Sequence, residues 1–511
     1  MGKYITKNYL GLILLLASCL GVSLATAQPK GNNAPIIIIM ADQLRFDVVG
    51  PGTPHIQSLM REGVNFSRAY CAAPLCAPSR ASFFTGLSPN RTGSMINPWE
   101  EEDESYGYTK ANTPNLYSLL ENKWDSWHVG KQHFFTQDNI DSPTSKTHWI
   151  TQQDYQQWMK QQKKSKPGGR EFKALVPEMV SGTRTHLRRY SIPVVSEYKE
   201  GNDYFLDHYI ANESIRAIKQ RDKSKPLLLN TMFLAPHPPF DIPEPYFSMV
   251  PLTDVKMPEN VGVWYPQQSP LQMYNISGFL GARYSREEWQ NIWAKYLGLV
   301  KLLDDEIGRI IAALKEEGLY DQSLIIFTAD HGEMLGSHSL WQKMCMYEES
   351  AKVPLIVKFP TDFPMVSKDI ATPVSLTDVF PTLLEFTGLP TIVDLDGSSL
   401  LPMIQGKKAE DRPVFIQYDG NGSLGNFQRS VVQGNYKLIV DLFKDEVFLE
   451  LYDVVNDRQE TTNLAFQENH AATTCQLLET LRTYMQTKKD RLSLAPNAYE
   501  RFIKDYKTIV K

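Results

Sequence analysis

The sequence predicts an α/β protein: a large, mixed and mostly parallel sheet flanked by helices, followed by a small antiparallel sheet with a helix. Three observations carry that prediction. Short, continuous apolar runs, the pattern of strands buried on both faces, recur through the first 400 or so residues. Helical periodicities lie between them, the alternation expected of an α/β core. Beyond about residue 400 the texture changes to short strands broken by Gly, Asn and Asp. The 511 residues are 42% hydrophobic and 22% charged, values ordinary for a globular protein, so disorder, collagen-like repeats and coiled coil are excluded as the main architecture. A net charge of −5 gives no basic excess, which argues against a nucleic-acid partner.

In chain order, residues 1–27 read as an export signal. Lys3 and Lys7 form a basic start, Leu10 to Leu16 an apolar core, and Ala25-Thr26-Ala27 a small-x-small cleavage site. Leu16-Ala17-Ser18-Cys19 offers a second reading, a lipoprotein signal ending at residue 18 with Cys19 lipidated. The apolar core is too short and interrupted for a good spanning helix, and no later segment is apolar for long enough. The expected location is the periplasm or outer surface of a bacterium, if the source is one.

A main domain is expected over residues 34–400 and an α+β subdomain over 410–505. Ile36–Met40, Leu227–Phe233, Leu324–Thr328 and Leu355–Phe359 read as buried strands of parallel type, with Trp124–Val129 a weaker candidate. Asn115–Leu120 and Trp293–Glu317 read as helices. Gln156–Arg170, polar and basic with a Pro-Gly-Gly break, reads as a surface loop. In the second part, Val414–Tyr418, Arg429–Val432, Tyr436–Val440 and Phe448–Tyr452 read as strands and His470–Thr487 as a helix. Asn421-Gly422 and Gly434-Asn435 mark turns.

The residues just past each buried strand are informative, because open α/β sheets bind ligands beyond the carboxyl ends of their strands. Asp42 and Gln43 come after the first run, Lys131 and His133 after the Trp124 run, and His237 after the Leu227 run. Asp330 and His331, then Lys343, come after the Leu324 run. One Asp after a strand is often a helix cap, and a lone His is often packed. Four charged strand ends are better explained by one shared site. Asp42, Asp330 and an oxygen donor such as Gln43 suit a hard cation. Lys131, Lys343 and Arg80 suit an oxyanion, and His133 and His237 can move protons near neutral pH. Together they point to hydrolysis of an anionic ester.

Residues 76–86 read Cys-Ala-Pro-Ser-Arg-Ala-Ser-Phe-Phe-Thr-Gly. Pro78 suits a first helical position, which places Cys76 just before a helix N-terminus where an anion is favoured. Read as residues alone, Cys76 is either a thiolate nucleophile or a buried structural cysteine. The segment resembles the type I sulfatase signature, C-x-P-S-R followed by four residues and T-G, at every fixed position. Ala41-Asp42-Gln43, Gly130-Lys131-Gln132-His133, Pro236-His237-Pro238 and Thr328-Ala329-Asp330-His331-Gly332-Glu333 extend the resemblance. Glu450-Leu451-Tyr452-Asp453 and Glu460-Thr461-Thr462-Asn463-Leu464 resemble the C-terminal domain of sulfatases.

That resemblance implies the alkaline phosphatase superfamily fold. It implies that a formylglycine-generating enzyme oxidises Cys76 to formylglycine, whose hydrate attacks sulfur. His237, with Lys343 as a second candidate, would protonate the leaving alcohol. His133 would take the proton whose loss lets the hydrate collapse and expel sulfate. Arg80 and Lys131 would hold the hydrate and neutralise charge. The implied metal shell is Asp42, Gln43, residue 76, Asp330 and His331, around Ca²⁺ or alternatively Mg²⁺ or Mn²⁺. Many sulfatases carry Asp where Gln43 stands and Asn where His331 stands, so this shell has one negative charge fewer. His338 reads as structural. Of the other cysteines, Cys71, Cys345 and Cys475 allow at most one pair.

Choline sulfatases and phosphonate monoester hydrolases share features such as Leu340-Trp341-Gln342-Lys343-Met344, but those enzymes are mostly cytoplasmic, and a choline pocket needs an aromatic cage. A non-catalytic glycan-binding protein would be expected to lose Cys76 or the cations. The expected substrate is a sulfated small molecule or oligosaccharide, such as a glycosaminoglycan or mucin-type glycan. Arg184, His186 and Arg188, with Arg189, form a basic cluster that could contact an acidic sugar, though a solvated basic loop reads equally simply. The acidic run Glu100–Glu104 is expected away from the cleft.

Overall fold

The strand Ile36–Asp42 shows why the sheet forms where it does. Four consecutive isoleucines, Ile36 to Ile39, are wholly buried, and β-branched side chains suit a strand covered on both faces. A computed structural model of the chain describes residues 33–99, 105–180, 184–408, 411–444 and 446–506. The segment expected to be an export signal, Cys19 and the acidic run 100–104 lie outside the described residues.

The main sheet has eight strands. Across it run Asp369–Ile370, Val64–Phe66, Leu355–Lys358, Leu324–Ala329, Ile36–Asp42, Leu227–Pro236, Asp125–Gly130 and His148–Thr151. The last five are mutually parallel. Register aligns their ends: Ala41 pairs with Ala329, Asp42 with Pro236, and Gly130 with Met232. Four carboxyl ends therefore meet along one edge. Beside the sheet, the 31-residue helix Arg286–Glu316 packs with Leu206–Gln220 against the Leu227 strand. Ser285 caps the long helix reciprocally with Glu288.

Val414–Tyr418, Phe427–Gln433, Tyr436–Phe443 and Glu446–Asp453 form the second, antiparallel sheet. Alternation splits its side chains between two cores. Ile416, Val432, Ile439 and Tyr452 join the main core. Val431, Leu438, Val440, Leu449 and Leu451 pack with Leu477, Leu478 and Leu481 of the helix Ala471–Thr487 and with Phe502. No helix among the described residues is long and apolar enough to cross a membrane.

Several expectations are corrected. Leu355–Lys358 runs antiparallel to both its neighbours, because a continuous apolar run records burial on both faces and not strand direction. Gln152–Gln162, which overlaps the expected loop, is a helix. Thr151 and Asp154 cap it reciprocally, and Tyr155 and Met159, one turn apart, are its buried face. The nucleophile helix spans Cys76–Thr85, so Cys76 sits in the first turn and not before it. Pro78 fits there because first-turn N–H groups need no helical partner. Asn421-Gly422 lies in a longer connection between strands, whereas Gly434-Asn435 is a tight turn. The four described cysteines are unpaired.

Candidate active site

Each functional side chain is delivered by an element end. Asp42 closes its strand, and Gln43 comes next with a left-handed φ of 65°. Lys131 follows Gly130, whose φ of 111° and whose place against the Met232 carbonyl exclude any Cβ. His237 follows Pro236, while Asp330 and His331 follow Ala329. Cys76 and Arg80 occupy one face of the nucleophile helix, four residues apart. Asp42, Cys76, Asp330 and His331 offer ligand atoms that all lie within 4.8 Å of one another, and all four residues are buried.

Arg80 braces the two carboxylates: Nη2 lies 3.1 Å from Asp42 and Nε 3.0 Å from Asp330. Lys131 ion-pairs with Asp42, and its Nζ lies 3.7 Å from the Cys76 sulfur. Asp42 Oδ1 is buried and has no hydrogen-bond partner among the described residues. Burial and the neighbouring Cys76 raise the Asp42 carboxyl, but Lys131, His237 and Arg80 outweigh them and hold it well below the usual range. Burial likewise pushes the Cys76 thiol up, and Lys131, Lys343 and His331 bring it well below its ordinary value. Three buried cations, Arg80, Lys131 and Lys343, stand around Asp42 and Asp330, with the buried Glu333 behind Lys343, and suit an incoming oxyanion.

Imidazole orientation follows from hydrogen bonds to carbonyls, which can only accept. His331 Nδ1 lies 3.0 Å from the Gly332 carbonyl, so Nε2, 3.2 Å from the Cys76 sulfur, is its lone-pair nitrogen when neutral. His237 Nδ1 lies 2.5 Å from the Pro238 carbonyl, which leaves Nε2 as its other ring nitrogen. Burial, then Lys343 and Lys131, push His237 down to about 4. Burial and Lys131 take His133 to about 4, and its Nδ1 is buried without a partner among the described residues. Behind His237, Asp207 Oδ1 accepts the N–H groups of Leu234 and Ala235 at 2.7 and 2.8 Å, fixing the strand end that carries the histidine.

Gln43 stands beside this set but its amide is engaged elsewhere. Its Nε2 donates to Glu333 and its Oε1 accepts from Lys343 Nζ. Its backbone N–H donates to Asp330 at 3.1 Å. Oε1 has a second lone pair, so the ligand role implied for Gln43 would have it shared between Lys343 and a cation. Glu333 also accepts from Leu335 and Gln342, which holds the loop that presents Lys343.

The site lies at the bottom of a cleft of about 650 Å³. Cys76, Lys131, His133, His237 and Lys343 line its floor. Its rim is the hairpin Lys173–Val180 and Arg184–Ser191, with Trp99 and Asn421. Of the basic cluster, Arg188 and Arg189 line the cleft, and Arg184 and His186 do not. Arg188 is held by Glu178 at 2.7 Å and by Ser423 at 2.6 Å. His338 is structural, stacked on Tyr347 with ring centroids 3.9 Å apart.

A family model for sulfatases matches residues 35–389, and one for the C-terminal region of N-sulphoglucosamine sulphohydrolase matches residues 336–487. The chain belongs to the sulfatase family. It is a sulfuric ester hydrolase, and the strand-end residues just described lie within the matched region. An arylsulfatase of Clostridium perfringens is 26% identical over 85% of this chain and 91% of its own length. A choline-sulfatase of Rhizobium meliloti is 27% identical over 84% and 82%. Among solved structures, a phosphonate monoester hydrolase of Agrobacterium radiobacter superposes with a TM-score of 0.70 at 23% identity, covering 89% of this chain and 96% of that one. A 2-O GAG sulfatase superposes with a TM-score of 0.69 at 22% identity, covering 91% and 96%. These likenesses fix the sulfatase fold.

Lys173, Leu175, Leu187, Trp99 and Asn421 were not singled out by their sequence context. The only signal was indirect: Asn421-Gly422 marked a turn, and that connection reaches the cleft by accepting the Asn97 side-chain amide at 2.9 Å. Asn97 in turn accepts the Ala77 N–H, one residue past the nucleophile, at 3.2 Å.

Proposed function

We propose that this sulfatase is exported, is matured at Cys76 to formylglycine by a dedicated enzyme, and removes sulfate from a sulfated carbohydrate. The observation that carries the reading is the setting of residue 76. It sits in the first turn of a helix, in reach of Lys131 and His331, at the floor of a cleft with the buried cations Arg80, Lys131 and Lys343 around it.

The donor set fits a divalent cation, Ca²⁺ or alternatively Mg²⁺ or Mn²⁺. Asp42, Asp330, His331 and residue 76 would hold it, with Gln43 Oε1 as a further oxygen donor, and the unpartnered Asp42 Oδ1 is an atom left for it. Bound there, it would neutralise the carboxylates and polarise oxygen. The protein's own groups do the rest. Arg80 fixes the orientation of both carboxylates. Lys131 and Lys343 receive the sulfate oxygens. His133, neutral at pH 7, accepts the proton from the hydroxyl of hydrated residue 76. His237 presents Nε2 to the leaving oxygen; burial, Lys343 and Lys131 hold its proton affinity down, and the arriving anion offsets the two lysines and so raises it.

A carbohydrate fits the rim better than choline does. Trp99 is exposed at the mouth, while Tyr190, the other aromatic ring lining the cleft apart from histidine, is buried with its hydroxyl on Glu178. One exposed ring is a platform for a sugar and not a cage for an ammonium group. The test is a panel assayed with matured enzyme: sulfated mono- and disaccharides, an aryl sulfate, choline sulfate and a phosphonate monoester. The expected result is highest kcat/KM on a sulfated sugar. Preferred turnover of choline sulfate or of the phosphonate ester would overturn the substrate assignment.

A further inference from the structure

The rim hairpin extends the substrate assignment, and this inference rests on the carbohydrate reading above. Lys173–Val180 and Arg184–Ser191 pair antiparallel, with Lys173 opposite Ser191 and Leu175 opposite Arg189. Alternation gives the hairpin two faces. Val176, Glu178, Val180 and Tyr190 lie on one face and are buried. Arg188 and Glu178, on that same face, tie it to Ser423 and Gly422 of the C-terminal sheet's connection. Lys173, Leu175, Leu187 and Arg189 lie on the other face; all four are exposed and all four line the cleft.

Lys173 and Arg189 are diagonal neighbours on that face, a Cα separation of roughly 7–8 Å. Among the described residues neither has an acidic partner, whereas Arg188, on the opposite face, is held by Glu178 and Ser423. Two exposed like charges at diagonal positions repel each other, and an anion that meets both relieves that repulsion. The floor already has its own cations for the scissile sulfate. The flanking Leu175 and Leu187 offer apolar surface to a sugar face.

We propose that Lys173 and Arg189 form a second anion subsite, so that the substrate carries a further carboxylate or sulfate beyond the sulfate that is cleaved. The cations that read this group are not Arg184, His186 and Arg188 of the basic run. They are one residue from each strand, on the exposed face of the hairpin, and both line the cleft.

The test is calorimetric binding to the full mature chain carrying Cys76→Ala, which needs no turnover. The probes are matched pairs: N-acetylglucosamine 6-sulfate against glucosamine 2-N,6-O-disulfate, and sulfated disaccharides with and without a uronate carboxylate. In at least one pair the two-anion member should bind roughly tenfold or more tightly, the scale of one charge-assisted hydrogen bond. In Lys173→Gln/Arg189→Gln, chosen to keep the hairpin soluble and paired, that ratio should fall to within about twofold. The advantage should also shrink as salt rises. Equal affinities in every pair, or a ratio kept by the double variant, would overturn the subsite. Failure of the matured enzyme to release sulfate from any sugar would instead overturn the carbohydrate reading, and the two outcomes are read from separate measurements.

Discussion

The floor of the cleft and its rim are both cationic, but their cations are held differently. On the floor, Arg80 and Lys131 are buried and locked to Asp42 and Asp330, so their positions are set before any ligand arrives. On the rim, Lys173 and Arg189 are exposed and have no acidic partner among the described residues, on a hairpin anchored through its opposite face. The difference teaches what each region can do. Preorganised charge in a dry site stabilises a transition state, because it needs no reorganisation during reaction. Exposed charge on a solvated edge is screened, and it selects partners more than it accelerates chemistry.

Substitutions should divide along the same line. His237→Ala should lower kcat on sulfated sugars by about 10²–10⁴-fold, the usual range for a lost general acid. The loss should be smaller on an aryl sulfate with an acidic phenol, whose leaving group needs less protonation. Equal losses on both would remove the proton-donor role.

Metal dependence should map to the floor alone. Saturating Ca²⁺ at about 100 times its Kd should stabilise the protein by roughly 2.7 kcal/mol, read as a rise in thermal midpoint. Asp330→Asn should abolish that rise, and a rim substitution such as Arg189→Gln should leave it intact.

Asp207 gives a floor effect that is read in stability. Burial pushes its carboxyl up to about 7, against the two N–H groups that hold it down. Because the folded value exceeds the unfolded one, the folded state binds this proton more tightly. Its contribution is therefore complete below about pH 4 and is lost as pH rises toward 7, at no more than roughly 1.4 kcal/mol per pH unit. Asp207→Asn keeps an acceptor for Leu234 and Ala235 without ionising. Urea unfolding from pH 4 to 7 should show a flatter profile for the variant, and an unchanged slope would contradict the assignment.

Trp99→Ala should have the smallest effect. It should raise KM for a sugar sulfate about two- to tenfold, the scale of one aromatic face, with kcat unchanged. A fall in kcat of similar size would place Trp99 with the floor.

The contrast also explains what was legible in the sequence. Floor residues come directly after buried apolar runs, and parallel register turns four sequence-distant strand ends into one edge. Asp42, Lys131, His237 and Asp330 could thus be grouped from the sequence alone. Gln43 was harder, because its sequence position beside Asp42 does not reveal that Glu333 and Lys343 take its amide. The rim was hidden for another reason. The run Arg184 to Arg189 is conspicuous in one dimension, but a strand sends alternate residues to opposite faces. Arg188 turns to Glu178, and the cation that joins Arg189 is Lys173, on the other strand and sixteen positions away by number. The helix Gln152–Gln162 was masked by its polar surface, though its capping pair Thr151 and Asp154 was present in the sequence.

The measurement that tests the central claim most directly is the mass of the tryptic peptide Ala69–Arg80 from enzyme coexpressed with a formylglycine-generating enzyme, with sulfate release assayed on the same batch. The prediction is a loss of about 18 Da placed by fragmentation at residue 76, with Cys71 in the same peptide unchanged, and sulfate release abolished in Cys76→Ala. An intact thiol at residue 76 in a batch that converts a control sulfatase, or sulfate release that survives Cys76→Ala, would contradict it.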